Sequence, residues 1–222
     1  MIAGVLLAAG ASTRMGKDKA LVRAGRSSYL VHGVRHLWMA CDSVVVVLGA
    51  NAAEIRRRAE SEFEALVEAG ALREDLQYAH RHGSGGLEVH FVVNTRWKRG
   101  MYSSARLGLR EALALQPAGV MVLPVDHPDV KPVTVASIAQ VMLQAIVACR
   151  AKERATFSYA LVPRHAKRRG HPLALSPALA TAIAGDDGAE DLSDAVRRHA
   201  RLVGYLDVSD PGVARNHNTP RR

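Results

Sequence analysis

The sequence is short of cysteine, of aromatic residues and of acidic charge. Cys41 and Cys149 are the only two cysteines in 222 residues, each at the apolar end of a predicted helix. Two thiols so placed read as reduced core residues and provide neither a disulfide framework nor a cysteine metal centre. Aromatic side chains make up 5% of the chain. The basic runs Arg56-Arg57-Arg58, Lys167-Arg168-Arg169 and Arg221-Arg222 therefore have little aromatic interleaving. With no recognisable nucleic-acid module, they read as solvated faces, and no nucleic-acid partner is expected. No apolar stretch is expected to reach the length of a membrane span, and the N-terminus runs straight into a strand without a charged leader. A cytoplasmic protein with no membrane contact follows as the expectation. Asp and Glu number 21 against 30 Lys and Arg, for a formal charge of +9. That excess suits anionic partners, and small phosphorylated ligands account for part of it.

Familiar site signatures are missing too. The P-loop needs Lys-Ser or Lys-Thr directly after its second glycine, and the dinucleotide fingerprint needs three glycines at fixed offsets, whereas this chain's first loop offers only Gly10 and Gly16. His32 and His36 stand i, i+4 on the predicted helix Ser27 to Ala40, but Gly33 occupies the place of the metalloprotease glutamate, so both read as helix-surface histidines. His80, His82 and His90 have no Cys or carboxylate at ligand spacing.

What is present is a strand-helix alternation. Apolar runs at Ile2 to Ala8, Ser43 to Leu48, Leu87 to Val93, Ala118 to Pro124, Thr156 to Val162 and Arg201 to Val208 read as strands. Between them, Ser27 to Ala40, Asn51 to about Ala69, a segment capped by Ser103 or Ser104, and Pro132 to Cys149 read as helices, with 70–86 as a surface connection. This pattern gives a three-layer α/β domain with a mainly parallel sheet, and the length suits one domain spanning 1–222. The chain is organised around its first strand exit. Gly10, Ser12, Thr13, Arg14 and Gly16, followed by Lys17 and Lys19, can turn backbone N–H groups and cationic donors toward phosphate. Glycine-rich strand exits also occur in α/β proteins without a phosphate ligand.

From Leu7 to Lys19 the chain resembles the nucleotidyltransferase loop L-A-A-G-x-S-x-R-M-G-x-x-K at every specified position. The closest resemblance is to the molybdopterin nucleotidyltransferases, the MobA/MocA-like group, and within it to the molybdenum cofactor cytidylyltransferases. The resemblance implies a Rossmann-like, GT-A-like nucleotidyltransferase fold. It also implies that Leu7, Ala8, Ala9, Gly10, Ser12, Arg14, Met15, Gly16 and Lys19 bind the nucleotide. Asn94 to Leu109, NTRWKRGMYSSARLGL, is similar to the family's N-x-x-W-x-x-G-M-x-S-S-x-x-x-G-L element, which places Asn94, Gly100, Met101, Ser103 and Ser104 at the base and ribose. Val125-Asp126-His127-Pro128 resembles L-x-D-Q-P or L-x-D-M-P, whose aspartate holds Mg²⁺, with His127 in place of Gln or Met. A carboxylate beyond a strand end suits that hard cation.

Pro163 to Leu175 resembles the segment in which G-H-P shapes the acceptor pocket, with Arg169, Gly170 and His171 as acceptor-binding residues and Arg168 beside them. Glu190 stands where the family's G-D-x-G-A-R stretch has arginine, and Asn216 and Asn218 replace the two aspartates of its D-I-D-T-P tail. The metal set implied is Asp126, Asn216 and Asn218, with Mg²⁺ resting mainly on Asp126. The catalytic set implied is Arg14, Lys19 and Asp126. The reaction implied joins an NTP, CTP by the Ala9 of L-A-A-G, to the terminal phosphate of a small acceptor, molybdopterin cofactor by resemblance, and releases pyrophosphate. Transient contact with molybdoenzyme maturation proteins is a further implication. A sugar or polyol cytidylyltransferase, a nucleotide-dependent oxidoreductase and a non-catalytic nucleotide sensor remain open as alternatives.

Overall fold

The computed structural model describes residues 1–10, 18–70, 88–150 and 158–217. The first strand, β1 (Ile2–Ala8), is buried along its whole length because it lies at the centre of the main sheet. It pairs in parallel with β4 (Ser43–Leu48) on one side and β6 (Gly119–Pro124) on the other. The sheet continues past β4 to β5 (Glu88–Val93) and past β6 to β9 (Leu173–Leu175), β7 (Ala160–His165) and β10 (Val203–Asp207). Strand β9 runs antiparallel to both neighbours, and β8 (Arg168–Arg169) pairs antiparallel with β7. A small separate ribbon joins β2 (Arg23–Ala24) to β3 (Ser27–Ser28). The register aligns Ala8 with Leu48, Leu48 with Val93 and Leu7 with Pro124, so four strands end at one edge. Ligands gather beyond that edge in parallel α/β sheets.

Period-2 alternation along β1 sorts its side chains into two cores. Leu6 and Ala8 face one layer, made by α1 (Tyr29–Trp38), α2 (Ala52–Glu68) and α4 (Pro132–Arg150), through residues such as Leu30, Leu37, Ile55, Ile138 and Met142. Val5 and Leu7 face the other, made by α3 (Met101–Ala114), α5 (Pro177–Gly185) and α6 (Leu192–Arg198), through Leu109, Leu179, Ile183 and Ala195. The expected three-layer α/β fold is therefore present.

Four expectations change. Strand β7 spans Ala160–His165 rather than 156–162 and ends in charged residues, because Arg164 makes two hydrogen bonds to the Asp207 carboxylate across the β10 pair, at 3.0 and 2.8 Å. Helix α3 starts at Met101 and is capped by Gly100, not by Ser103 or Ser104. Helix α4 is long and apolar enough to cross a membrane, over 18 residues, although its inner face packs on the sheet. And His36 is not on the surface.

His36 is 7% exposed, its ring centroid lies 4.0 Å from that of His32, and its Nδ1 has no partner among the described residues. Burial, then the neighbouring His32 and Arg35, push its pKa down to about 3. The unfolded ring titrates near 6.5, so between the two values the unfolded chain binds more protons. This group's contribution to stability is complete above about pH 6.5 and is lost as pH falls toward 3. Urea unfolding should show a loss of about 2 kcal/mol between pH 7 and 5 from this ring alone. His36→Leu should flatten that acid limb, and an unchanged slope in the variant would remove His36 as its source. Cys41 is buried and Cys149 half-buried, both as free thiols.

Candidate active site

Two segments meet beyond the C-terminal ends of β1 and β6. Val125 extends the β6 pairing by donating its N–H to the Leu7 carbonyl at 3.0 Å, which sends Asp126 out over the sheet edge. Lys19 opens the short helical turn Lys19–Leu21, and its Nζ lies 3.3 Å from the Asp126 Oδ2. Both side chains are about one-fifth exposed, 19% and 20%, so the pair is partly shielded yet open to a ligand. Asp18 accepts from the Asn51 carboxamide at 3.1 Å, which hooks the end of the loop to the start of α2. Ser12, Arg14, Met15 and Gly16 of the sequence assignment lie outside the described residues, as does Asn218.

Ala9 is 6% exposed and belongs to the core beneath α3. A Cβ placed on Gly49 would run into the Ala9 carbonyl oxygen and stand 2.8 Å from the Trp97 Cβ, so glycine is what lets β4 turn away under Trp97. The Ala9 methyl thus lies against Gly49, 2.9 Å from where a side chain there would begin. It is not a free wall of an open cleft.

The base element folds back on itself. The Asn94 carboxamide nitrogen donates to the Ser103 Oγ at 2.9 Å and the Ser104 Oγ at 2.8 Å, and its Oδ1 accepts from the Arg96 N–H at 2.9 Å. Asn94 and Ser104 are buried, and the Ser103 hydroxyl lies 2.8 Å from the Gly100 carbonyl. This explains the shifted cap. The serines are pulled under the turn by Asn94, while Gly100 takes φ +99°, a conformation that glycine adopts without strain, and starts the helix. Of the five residues assigned to the base and ribose, Gly100 and Met101 are the exposed ones.

Beyond Asp126 a cavity of about 500 Å³ is lined by His127, Arg168, Arg169, Gly170, His171 and Asn216, among others. The His127 and His171 rings meet edge-on with centroids 4.8 Å apart. Burial, then His127, holds the His171 pKa down to about 4, and burial lowers that of His127 against an opposing pull from Asp126. Both rings are therefore neutral near pH 7. The cationic groups of this cavity are the arginines, and the neutral His171 ring offers hydrogen bonding but no counter-charge for a phosphate. Arg169 lies 5.2 Å over the Tyr205 ring, and the Arg168 guanidinium donates to the Ala214 carbonyl at 3.3 Å.

The C-terminal turn, Pro211–Ala214, is tied across this cavity. Asp210 accepts from Lys131 N–H and Thr134 Oγ1, both at 2.8 Å, and from Gly212 N–H at 2.9 Å. His171 N–H donates to the Val213 carbonyl at 2.9 Å, and His217 N–H to the Asp126 carbonyl at 2.8 Å. The His217 ring bridges Asp129 Oδ2 at 2.9 Å and Tyr29 Oη at 3.1 Å. Sequence reasoning named neither His217 nor Asp129. The signal was there in His217, which stands where the family motif has isoleucine.

Gly170 has no room for a side chain, since a Cβ there would run into the Val213 carbonyl. Backbone cannot yield as a flexible side chain does, so Gly170→Ala should destabilise the protein by about 2 kcal/mol. It should also raise amide exchange over residues 211–217 more than elsewhere. Unchanged exchange there would show that the turn is not held through Gly170.

The fit of Mg²⁺ to these residues rests on one carboxylate. Among the described residues no three His, Cys, Asp or Glu side chains group as metal donors. Mg²⁺ is commonly held by one or two carboxylates plus substrate phosphates, a requirement that Asp126 with a bound triphosphate meets.

Comparison with known proteins gives the family. Residues 4–202 match the MobA-like NTP transferase domain. Nicotine blue oxidoreductase of Paenarthrobacter nicotinovorans is 30% identical over 226 residues, covering 98% of this chain and 92% of that protein. Rv0371c of Mycobacterium tuberculosis superposes with a TM-score of 0.66 at 23% identity, covering 98% of this chain and 93% of that one. The same protein solved with manganese gives 0.56 at 20% identity over 93% and 87%. A nucleotidyl transferase from Methanothermobacter thermautotroptrophicus gives 0.64 at 21% identity over 99% and 92%. With the family match running from the first strand to the turn before β10, the chain belongs to the MobA-like NTP transferase family and is a nucleotidyltransferase.

Proposed function

We propose that residues 1–222 form one cytoplasmic nucleotidyltransferase domain that joins CTP, with Mg²⁺, to the terminal phosphate of a small acceptor, molybdopterin cofactor being the first candidate, and releases pyrophosphate. The observation that carries this is the meeting of Lys19 and Asp126 at the sheet edge, next to a cavity rimmed by Arg168 and Arg169. Asp126 would hold the metal against the triphosphate, and Asn216 would add an amide oxygen nearby, since the next residue, His217, donates its N–H to the Asp126 carbonyl. Lys19, with Arg14, would offset charge building at the α-phosphorus and the leaving pyrophosphate. The acceptor phosphate would attack in line from the arginine-rimmed cavity, with no side-chain nucleophile. Manganese in the Rv0371c complex is consistent with a divalent metal on this fold.

CTP is chosen on Ala9, since the resemblance separates L-A-A-G from the L-A-G-G of guanylyl-type members. The buried methyl would act through Gly49, which it packs against, and Trp97 of the same core, by setting the room left at the base. A methyl-sized difference is worth about 1 to 3 kcal/mol, so the preference over GTP should be tens to hundreds of fold. Pyrophosphate release from CTP, GTP, ATP and UTP, with and without molybdopterin cofactor, measures it as kcat/KM. GTP equal to CTP would overturn the nucleotide assignment, and release from none of them would overturn the reaction. Acceptor trials with sugar and polyol phosphates distinguish the close alternatives, and transient contact with molybdoenzyme maturation proteins would follow only if molybdopterin is the acceptor.

A second reading is favoured by one observation, that the relative sharing 30% identity carries the name of an oxidoreductase. In that reading the cleft binds a nicotinamide nucleotide and the cavity beside His127 and His171 takes the molecule reduced. NAD(P)H oxidation without pyrophosphate release would support it, and failure to bind NAD(P) would remove it.

A further inference from the structure

Helix α4 shows two apolar faces where one is used. Its inner face, Val135, Ile138, Ala139, Met142 and Ile146, is buried against the sheet. Its outer face carries Val133 and Val147, 64% and 66% exposed, with Leu143 between them at 40%. None of the 18 residues from Pro132 to Cys149 is charged. Solvent-facing helix surfaces normally carry charge, as α2 does. Four of the eight large hydrophobic side chains exposed among the described residues, Met1, Val133, Leu143 and Val147, border a single groove of about 880 Å³ beside this helix.

The outer face has an internal symmetry about Gln140. Val133, Ala136, Gln140, Leu143 and Val147 recur at spacings of three and four, the pattern of a helix-pairing seam with one polar position. In an antiparallel pairing of two identical helices, each residue before Gln140 meets the residue equally far beyond it in the other copy. Val133 then faces Val147, the small Ala136 faces the long Gln144, the small Ser137 faces Leu143, and Gln140 faces its own copy, amide to amide. At the Ala136–Gln144 and Ser137–Leu143 positions a small side chain meets a large one, and the Val133–Val147 pair is apolar on both sides. Charge points the same way, because a chain of formal charge +9 repels a copy of itself least at a face that has none. A lipid surface fits less well, since Ser137, Gln140 and Gln144 occupy the middle of the face.

We propose that this face of α4 is the two-fold interface of a homodimer, with the helices antiparallel and Gln140 on the axis. A specific interface covers about 800 Å² per partner, more than one helix face supplies. The adjoining groove, lined also by Met1, Met39 and Ala40, extends the contact. The interface lies on the outer surface of the α4 layer, and neither Asp126 nor Lys19 lines its groove.

Sedimentation velocity of the full chain at micromolar concentration should give a dimer. Leu143→Glu would bury an unpaired charge in both halves and Gln140→Lys would set two like charges on the axis, each weakening association by at least about 100-fold. Gln140 is already exposed and polar, so that variant keeps the test independent of folding, which circular dichroism and thermal melting check. In a Cys149→Ser background, Gln140→Cys should cross-link under mild oxidation. Val133→Cys should not, because antiparallel copies place the two positions about 20 Å apart. A parent that stays monomeric, a dimer unaffected by both charge variants, or equal cross-linking at 133 and 140 would overturn the proposal. So would binding to phosphatidylglycerol vesicles that Leu143→Glu abolishes, which would make the face a membrane surface.

Discussion

Asp126→Ala is expected to abolish metal-dependent pyrophosphate release while leaving the melting temperature without metal close to that of the parent. The carboxylate projects beyond the end of β6, outside both cores, and pairs with Lys19 at 3.3 Å, with the His127 ring at 4.0 Å. Nothing in the packing depends on it. Under the proposed reaction the chemistry does, because where the resembled family's tail has two aspartates this chain has Asn216 and Asn218. An amide oxygen can meet a cation or its waters but adds no charge. Isothermal titration of Mg²⁺ in the presence of a non-hydrolysable NTP separates the outcomes. Coincident curves for parent and variant would remove Asp126 as the ligand. Asn216→Asp should move affinity the other way, since the segment bearing it is held to the Asp126 carbonyl through the neighbouring His217.

Lys19→Ala should lower turnover by on the order of a hundredfold or more, the usual effect of removing a preorganised donor from a site of developing charge. The ion pair makes a second consequence unavoidable. A divalent cation must compete with the Lys19 ammonium for Asp126, so the same substitution should tighten metal binding as it slows the reaction. Opposite movements of metal affinity and kcat distinguish a lysine that serves the phosphates from one that merely holds the loop. Near-normal turnover in a folded Lys19→Ala protein would overturn its assignment.

The order of elements was legible because β1, β4 and β6 are continuous apolar runs, and a run of that length and composition between turn signals has few other uses in a chain of this size. The boundaries of β1 and β4 coincide with the runs, since nothing but burial decides them. Strand β7 and the start of α3 were misjudged for the opposite reason. Arg164 is tolerated in a strand only because Asp207 lies across from it, and Gly100 replaces the serines as cap only because Asn94 takes their hydroxyls. Both partners are remote in sequence or direction, and periodicity does not see them.

The candidate site divides in the same way. Residue type along one segment, together with the resemblance to the family, was enough to expect a phosphate loop, a strand-end metal aspartate and a basic acceptor segment, because each is a local arrangement of backbone and donors. Tertiary structure alone decided that Lys19 reaches Asp126, that His36 and Ala9 are buried, that His127 and His171 sit ring to ring and neutral, and that His217 bolts the tail to Asp129 and Tyr29. The reason is physical. A side chain's charge, reach and solvation depend on what packs against it, and in this fold those neighbours come from strands and turns far apart in the chain.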